Sequence, residues 1–191
     1  MKMLIKINIA FWYTVILQKT QTKIFSGRKG HMEMRKLRRK DRILSEEETQ
    51  TLLHKGTYGV LSTVSAEGEP YGVPLSYLWL DGSVYFHSAL KGHKVDNIRA
   101  GSRASFTVVG DIQPVYDKTF STYYESAIVF GAVEEVTDEK ERYNVLYALA
   151  EKYLPEQMEH ADSAIHATSR ATLVCAIRPE GISGKAKKRM P

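Results

Sequence analysis

The chain has 191 residues, of which 43% are hydrophobic and 26% are charged, so it can bury one sizeable core and is typical of a soluble globular protein. Its net charge of +5 is unevenly placed: residues 1–43 hold 12 Lys and Arg against 2 Asp and Glu, whereas residues 44–184 hold 11 against 20. Residues 44–184, the predicted folded part, therefore carry a net negative charge, which excludes nucleic-acid binding by their surface. Only the basic N-terminal segment could bind nucleic acid. The single cysteine, Cys175, excludes an intramolecular disulfide and indicates a reducing compartment, so we expect a cytoplasmic protein.

The N-terminal segment, residues 1–34, is predicted to lie outside the fold. Its uncharged run at residues 7–17 is too short to span a bilayer as a helix, and no small-residue cleavage site follows it. Three interpretations stay open: a basic arm that contacts nucleic acid or an acidic membrane, a solvated tail, or an extension upstream of a start at Met32 or Met34. We expect neither a nucleic-acid nor a membrane partner, and we assign residues 35–191 to one domain.

The beginning of the predicted domain is a helix followed by strands. A capping box that begins at Ser45 predicts the helix. Tyr58–Val64 is the first predicted strand and residues 71–80 are the second. Pro74 lies inside the second strand, where it cannot donate a ladder hydrogen bond, so this stretch is predicted to be an edge, a bulge or a segment that faces a ligand. The Asp81-Gly82 pair then predicts a tight hairpin.

The next stretch joins a strand to a short helix. Residues 84–87 are aromatic or β-branched, which is typical of a strand. His93–Arg99 is predicted to be a helix, because Val95 and Ile98 fall on one helical face. Hydroxyl, glycine and cationic residues gather where the helix begins and are suited to holding an anion, most naturally a phosphate. This group, which we call the cradle, consists of Ser88, Gly92, His93 and Lys94. The alternative interpretation is a solvated basic turn.

The rest of the chain is predicted to consist mostly of strands. Residues 103–109 and 125–136 are predicted strands, and residues 110–122 between them read as a loop or an interrupted edge. Residues 138–154 form the longest predicted helix, and residues 171–177 form the last strand before a turn and a basic tail. Strands in hairpin succession with few helices indicate an antiparallel β-barrel with flanking helices, not repeated βαβ units.

Four pieces of the sequence together form a recognisable pattern. They are GVLST at 59–63 with EPYGVPLSY at 69–77, YFHSALKGHK at 85–94 with Asn97 and Ile98, SAIVFG at 126–131, and SGKA at 183–186. Together these pieces resemble the split-barrel flavoproteins of the pyridoxamine 5'-phosphate oxidase superfamily, and within it the 5-nitroimidazole resistance branch. The second piece is the most specific, and the resemblance covers residues 35–187. It implies a mainly β protein, a six-stranded antiparallel split β-barrel, that forms a homodimer. It also implies a flavin at the subunit interface, usually FMN, with FAD as the alternative.

The same resemblance implies which residues hold the flavin. The flavin phosphate would lie in the cradle, the ring would lie along residues 73–76, and Ser126 would approach the ring from the neighbouring strand. The implied cofactor-binding residues are Val73, Pro74, Leu75, Ser76, His87, Ser88, Ala89, Gly92, His93, Lys94 and Ser126. His87 would lie near the reactive face as the candidate catalytic residue, a proton donor or a substrate contact. The oxidase branch carries an arginine in the strand before the cradle, and residues 76–78 of this chain contain none.

These patterns leave more than one class of function open. The first is an FMN-dependent oxidoreductase, a nitroreductase of 5-nitroimidazole-like or other small electron-poor compounds, which would serve antibiotic resistance or detoxification. The second is a non-catalytic split barrel that binds flavin or haem, and a third is an oxidase like pyridoxamine phosphate oxidase. No metal site is predicted, because the histidines lack partners at ligand spacing. Tyr116, Tyr123 and Tyr124 would either stack on flavin or substrate or lie at the surface or an interface.

Overall fold

The computed structural model describes residues 34–101, 103–116, 118 and 120–188. The predicted N-terminal extension, residues 1–34, therefore lies outside the described residues except for Met34. Among the described residues, no helix has the length and apolar character needed to cross a membrane.

The described part of the chain contains four α-helices and eight β-strands. The helices are α1 (Glu46–Lys55), α2 (His93–Arg99), α3 (Glu139–Tyr153) and α4 (Ala161–Thr168). The strands are β1 (Tyr58–Val64), β2 (Pro70–Ser76), β3 (Leu78–Leu80), β4 (Ser83–Ala89), β5 (Arg103–Tyr116), β6 (Phe120–Glu135), β7 (Thr172–Ile177) and β8 (Gly181–Lys187). Short 3₁₀ turns occupy Lys40–Arg42, Pro155–His160 and Ser169–Ala171.

The strands form one antiparallel sheet in the order β2-β1-β5-β6-β7-β4-β3, with β8 paired to β6. The long strand β6 makes this possible, because Phe120 to Ala132 pairs with β5 while Val133 to Glu135 pairs with β7. A strand shared in this way bends the sheet around a common interior. The predicted fold class, mainly β with an antiparallel barrel and flanking helices, is confirmed.

The interior of the barrel is apolar. Leu61, Phe86, Phe106 and Val129 are fully buried there, and the ring of Tyr77 lies 4.9 Å from that of Phe106. A second apolar cluster lies on the outer side of β4 and β7, where α3 packs. Its members are Tyr85, Val136, Val145, Leu149, Val174 and Ala176. The outer face on β4 and β7 is therefore covered by α3. The outer face on β1, β2 and β5 carries no helix of the described chain.

Local sequence signals explain most of the element boundaries. The Ser45 hydroxyl accepts a hydrogen bond from the Glu48 N–H while the Glu48 carboxylate accepts from the Ser45 N–H, so the predicted capping box is present. Asp81 and Gly82, which join β3 to β4, both have a positive φ, as this tight turn requires. Helix α2 begins and ends where predicted.

Two segments differ from their predictions. Residues 110–122 are predicted to be a loop or an interrupted edge, and β5 and β6 continue through this region to Tyr116 and from Phe120, with a register shift after Val109. The residues after 177 are predicted to be a turn and a tail, but Gly181–Lys187 is a full strand against β6. In both cases the segment is too polar to be recognised as a strand from its own residues. Pairing with β5 or β6 supplies the backbone hydrogen bonds that make it one.

Candidate functional site

The barrel is split between β2 and β4. Only Tyr77 separates β2 from β3, and β3 pairs with β4 from Leu78 to Leu80. Continuing that register would set Ser76 opposite His87, yet the described strands do not pair there. Since β2 pairs only with β1 and the last residues of β4 pair only with β7, each of these described strands keeps one open backbone edge. We call the space between these edges the slot.

The cradle lies where the slot meets the start of α2. Gly92 adopts a φ of 127°, with open space where a Cβ would be, so the backbone conformation and not crowding requires glycine here. The His93 ring stacks on Tyr71 of β2, with ring centres 4.0 Å apart and an interplanar angle of 28°. The first turn of α2 therefore spans from β4 back to β2 and closes one end of the slot.

Buried contacts hold α2 in this position. Val95 and Ile98 belong to the barrel core, as their spacing predicts. The buried Asn97 side chain donates from Nδ2 to the Thr63 hydroxyl of β1 at 3.0 Å, and the Arg99 guanidinium donates to the Leu90 carbonyl at 3.2 Å. The loop and the first turn are thus fixed before any ligand arrives, which is the preorganisation that a binding site needs.

The basic side chains of the cradle, His93 and Lys94, have no carboxylate partner in the part of the chain that the structure describes. His93 is exposed and Lys94 is half-buried, and neither takes part in an ion pair of the described residues. By contrast, the nearby Arg99 is paired with Glu135 at 2.9 Å. Positive charge that is fixed, partly desolvated and unbalanced favours an anionic ligand.

His87 lies on the outer face of β4, opposite Val174 of β7. Its neighbours Phe86 and Ser88 are buried, whereas His87 is exposed, because successive side chains of a strand point to opposite faces. Partial burial lowers the pKa of the His87 imidazole, and the positive charge of Lys94 lowers it further. The imidazole is therefore mostly neutral at pH 7 and close to the cradle lysine.

The predicted ring-binding stretch of β2 presents few side chains to the slot. Leu75 is buried in the barrel core and Val73 packs against that core, while Pro74 is exposed and Ser76 is half-buried. Any contact from Leu75 to a ligand in the slot must therefore come from its backbone N–H and C=O groups. Ala89, the last predicted residue of this group, is exposed at the end of β4.

The structure does not place Ser126 beside β2. The neighbour of β2 is β1, and Ser126 lies on β6, three strand positions away, or about 14 Å at the usual strand spacing. Within one chain, Ser126 therefore lies on a strand that is not adjacent to β2. Strands β1 and β5 separate the two, and no local sequence signal shows that order.

Two features of this region are not foreseen from the sequence. One is a groove of about 410 Å³ on the outer face of β1, β2, β5 and β6, which shares Tyr71 with the His93 stacking contact of the cradle. It is lined by Ser62, Thr63, Val64, Pro70, Tyr71, Gly72, Arg103, Ala104, Ser105, Phe130 and Gly131. Strands β1, β2 and β5 each contribute one small residue at the same register, Ser62, Gly72 and Ser105, and this signal becomes visible only once the strands are paired.

The other feature is a polar cluster at the bend between β2 and β3, which we call the corner (Tyr77, Lys152 and Tyr153). The Lys152 ammonium donates to the carbonyls of Gly56 at 2.6 Å and Tyr77 at 3.1 Å. The Tyr153 hydroxyl accepts from the Tyr77 N–H at 2.9 Å. Burial lowers the pKa of Lys152 to about 8, because no carboxylate of the described residues pairs with it to offset desolvation. The corner ties the C-terminal end of α3 to the point where the slot opens.

A family model described as pyridoxamine 5'-phosphate oxidase matches residues 45–186, which is most of the chain and includes the slot and the cradle. The chain belongs to the pyridoxamine 5'-phosphate oxidase family. The prediction of the superfamily is thereby confirmed. A search of curated proteins finds none that matches the chain.

Several solved structures share the fold of this family member. One is a candidate 5-nitroimidazole antibiotic resistance protein from Bacteroides thetaiotaomicron, with 22% identity and a TM-score of 0.65 over 77% of this chain and 90% of that one. Another is an FAD and haem binding protein from Mycobacterium smegmatis, with 20% identity and a TM-score of 0.65 over 78% and 75%. A third is an FAD-binding protein from Mesorhizobium loti, with 27% identity and a TM-score of 0.56 over 77% and 98%.

The residues of the slot and the cradle are suited to a flavin of the kind that the resemblance implies. Lys94 supplies positive charge for a phosphate and the His93 ring can supply an N–H donor, while the open edges of β2 and β4 supply N–H and C=O groups for a polar ring edge. Cys175 is not a competing reactive group, because burial raises the pKa of its thiol to about 12. No cluster of metal-ligating side chains is found among the described residues.

Proposed function

We propose that this protein is a flavin-dependent oxidoreductase that holds FMN with the phosphate in the cradle and the ring along the slot. The observation that carries the proposal is the fixed, unbalanced charge of Lys94, with the His93 imidazole next to it, beside two open strand edges. A structural role would not require basic side chains there, since no carboxylate of the described chain pairs with them. The family model, which spans both features, supports the same conclusion.

The chain's own residues have distinct parts in this proposal. A bound flavin supplies the electrons for the reaction. The cradle binds and orients the phosphate, and the backbone of Leu75 and Ser76 meets the polar edge of the ring. His87, whose imidazole has a lowered pKa, becomes a ready proton donor once it is protonated, because a lowered pKa makes the imidazolium a stronger acid.

We further propose small nitroaromatic compounds of the 5-nitroimidazole type as substrates. One of the similar structures is that of a candidate 5-nitroimidazole antibiotic resistance protein. The apolar groove beside the cradle suits a small, flat, electron-poor molecule better than a large polar one. Oxidation of pyridoxamine 5'-phosphate is less well supported, because residues 76–78 lack the expected arginine.

We also propose that the protein acts as a homodimer, with a second copy covering the outer face that carries no helix of the described chain. Val60, Val64 and Val109 are exposed on or beside that face at 38%, 45% and 52%. Val60 and Val64 lie on β1, opposite Pro74 and Pro70 of β2, and exposed apolar side chains grouped on one face are costly to leave in water. Light scattering on the purified chain tests this directly: a mass of twice 21.6 kDa supports it and a monomer contradicts it.

The experiment that tests the function has two stages on the full chain. The absorbance spectrum of the purified protein, followed by mass analysis of what denaturation releases, shows whether a flavin is bound and whether it is FMN or FAD. The bound flavin is then reduced and mixed with a 5-nitroimidazole under anaerobic conditions. Rapid reoxidation with loss of the nitro absorbance supports the proposal. Failure to take up added flavin contradicts all of it.

A second candidate function is a non-catalytic protein that binds flavin or haem. The observation in its favour is the exposed, mostly neutral imidazole of His87 beside the slot, since neutral imidazole is a common ligand of haem iron. One similar structure is that of an FAD and haem binding protein. A Soret band that shifts in His87→Ala, with no reoxidation of flavin by nitro compounds, would favour this function over the oxidoreductase.

A further inference from the structure

Tyr71, near the start of β2, is held through both its ring and its backbone. The ring stacks on the His93 imidazole of α2, with ring centres 4.0 Å apart and an interplanar angle of 28°. The backbone carbonyl accepts a hydrogen bond from the Thr63 hydroxyl of β1 at 3.4 Å. The position of Tyr71 in the sequence suggests no role for it, and these two contacts are the reason to assign one.

The hydrogen bond to the Tyr71 carbonyl belongs to a buried chain of donors that begins on α2. The Asn97 side chain donates from Nδ2 to the Thr63 hydroxyl at 3.0 Å, and that hydroxyl gives its own proton to the Tyr71 carbonyl. Asn97 is 3% exposed and Thr63 is 2% exposed, and buried hydrogen bonds are costly to break. Thr63 is also the register partner of Tyr71 in the β1–β2 pair. The backbone of Tyr71 is therefore fixed relative to α2.

The stacking contact between Tyr71 and His93 lies at the surface. His93 is exposed and Tyr71 is half-buried, so the pair adds little to the buried core. Within the described residues, stacking on Tyr71 is the interaction that restrains the His93 imidazole. An exposed side chain without such a contact samples several rotamers, and a ligand that bound it would have to offset the entropy of fixing it.

Stacking also decides which part of the His93 imidazole can meet a ligand. The Tyr71 ring covers one face of the imidazole and leaves the ring edge free. Both nitrogens lie on that edge, and a ring N–H donates in the plane of the ring. The orientation of the Tyr71 ring therefore sets the direction in which His93 can donate a hydrogen bond.

We propose that Tyr71 is a positioning residue of the cradle, which stacks on His93 and thereby holds the imidazole ready to donate its ring N–H to the flavin phosphate. This inference rests on the proposed function, because the phosphate is that of the flavin in the cradle. Tyr71 acts through His93, so its effect should fall on the phosphate contact and not on the flavin ring.

The first test compares FMN with riboflavin, which lacks the phosphate, by titration of the flavin-free full chain. Tyr71→Leu should reduce the preference for FMN over riboflavin about 3- to 10-fold, the usual effect of losing one aromatic stacking contact, and should leave the riboflavin affinity unchanged. Tyr71→Phe keeps an aromatic ring and should retain the preference. The matched control is Tyr147→Leu, the same substitution at a residue of α3 that is 37% exposed.

Proton NMR of the flavin-free protein tests the stacking itself. The His93 ring signals should lie upfield of those of the exposed His160, because the Tyr71 ring shields protons above its face. Tyr71→Leu should remove this upfield shift and Tyr71→Phe should keep it. Equal shifts for His93 in the wild type and in Tyr71→Leu would overturn the inference.

A double variant shows whether Tyr71 acts through His93. If it does, Tyr71→Leu combined with His93→Ala should bind FMN no more weakly than His93→Ala alone, whereas independent effects would multiply. Multiplying effects, or equal losses of FMN and riboflavin in Tyr71→Leu, would contradict this inference alone. Failure of the wild type to bind either flavin would contradict the proposed function and this inference with it.

Discussion

The corner and the cradle both contain a half-buried lysine beside an aromatic side chain, but only at the corner is the lysine hydrogen-bonded within the described chain. At the corner, the Lys152 ammonium donates to two backbone carbonyls and the Tyr153 hydroxyl accepts from a backbone N–H. At the cradle, the half-buried Lys94 has no hydrogen bond or ion pair within the described chain, and His93 has only its stacking contact with Tyr71. Both groups flank the same slot, one at each end of β2.

The difference shows which polar residues build the fold and which await a ligand. Buried donors that find backbone acceptors stabilise the folded state, because leaving them unpaired costs more than pairing them gains. Fixed donors with nothing to bind contribute no such stability. If this distinction is right, substitutions at the corner should change mainly the stability, and substitutions at the cradle mainly the affinity for flavin.

The largest expected effect is at the cradle. Replacing Lys94 with Ala removes a charge-assisted hydrogen bond to the flavin phosphate, so FMN should bind about 10- to 100-fold more weakly. The melting temperature of the flavin-free protein should barely move. Fluorescence quenching of FMN measures the affinity. The matched control is Lys91→Ala in the same loop, an exposed lysine that should leave the affinity within about threefold. Equal losses in both variants would contradict a specific cradle.

At the corner, Tyr153→Phe should lower the free energy of unfolding by about 1–3 kcal/mol, because the Tyr77 N–H loses its acceptor. Chemical denaturation measures this change. Tyr147→Phe, on the same helix and 37% exposed, is the control and should cost about 0.5 kcal/mol or less. If Tyr153→Phe weakened FMN binding as strongly as Lys94→Ala, the distinction between a structural corner and a ligand-binding cradle would be contradicted.

Asn97, which fixes α2 to β1, should affect both the stability and the affinity for flavin. Asn97→Ala removes a buried hydrogen bond to Thr63 and should cost about 1–2 kcal/mol of stability. It should also weaken FMN binding, since the first turn of α2 loses its fixed position. Asp96→Ala, on the exposed side of the same helix, should change neither property appreciably. Denaturation and FMN titration of both variants measure the two effects, and an unaltered affinity in Asn97→Ala would contradict the coupling.

The lysine of the corner gives a pH-dependent effect. Its pKa is about 8 in the folded protein, against an ordinary value of 10.5. Between these values the unfolded chain holds more protons at this group than the folded chain, so its contribution to the unfolding free energy rises with pH. Denaturation across this range should therefore show the wild type gaining stability relative to Lys152→Met as the pH rises. A constant difference between the two would show that the Lys152 pKa is not lowered.

The smallest effect concerns His87. Its pKa is lowered by partial burial and by the charge of Lys94, so Lys94→Met should raise it toward the ordinary value. Proton NMR of the His87 ring signals measures this shift, and Lys91→Met provides the control. If His87 donates the proton in turnover, the rate should rise as the pH falls toward the His87 pKa, and His87→Gln should remove that dependence.

Local sequence signals are sufficient to predict the turns and helix starts around the cradle, but not the order of the strands around it. The capping box at Ser45, the Asp81-Gly82 turn and the spacing of Val95 and Ile98 are short-range patterns, and the structure reproduces each of them. Pro74 is predicted at an edge or a ligand-facing stretch, and it lies on the strand that borders the slot. These features depend only on neighbours within a few residues.

The long-range features escape prediction because pairing between distant strands decides them. The strand order sets β1 and β5 between Ser126 on β6 and the stretch of β2 at residues 73–76. The basic tail becomes β8 because β6 offers it a complete edge. The partners of Lys152 at the corner lie at Gly56 and Tyr77, far away in the sequence, so no local pattern could reveal them.

The most direct test of the central claim compares FMN with riboflavin by calorimetric titration of the flavin-free full chain. The two ligands share the ring and the ribityl chain and differ only in the phosphate. If the cradle holds the phosphate, FMN should bind about 100-fold more tightly, and Lys94→Ala should remove most of that difference. Equal affinity for the two ligands in the wild type would show that the cradle is a solvated basic turn.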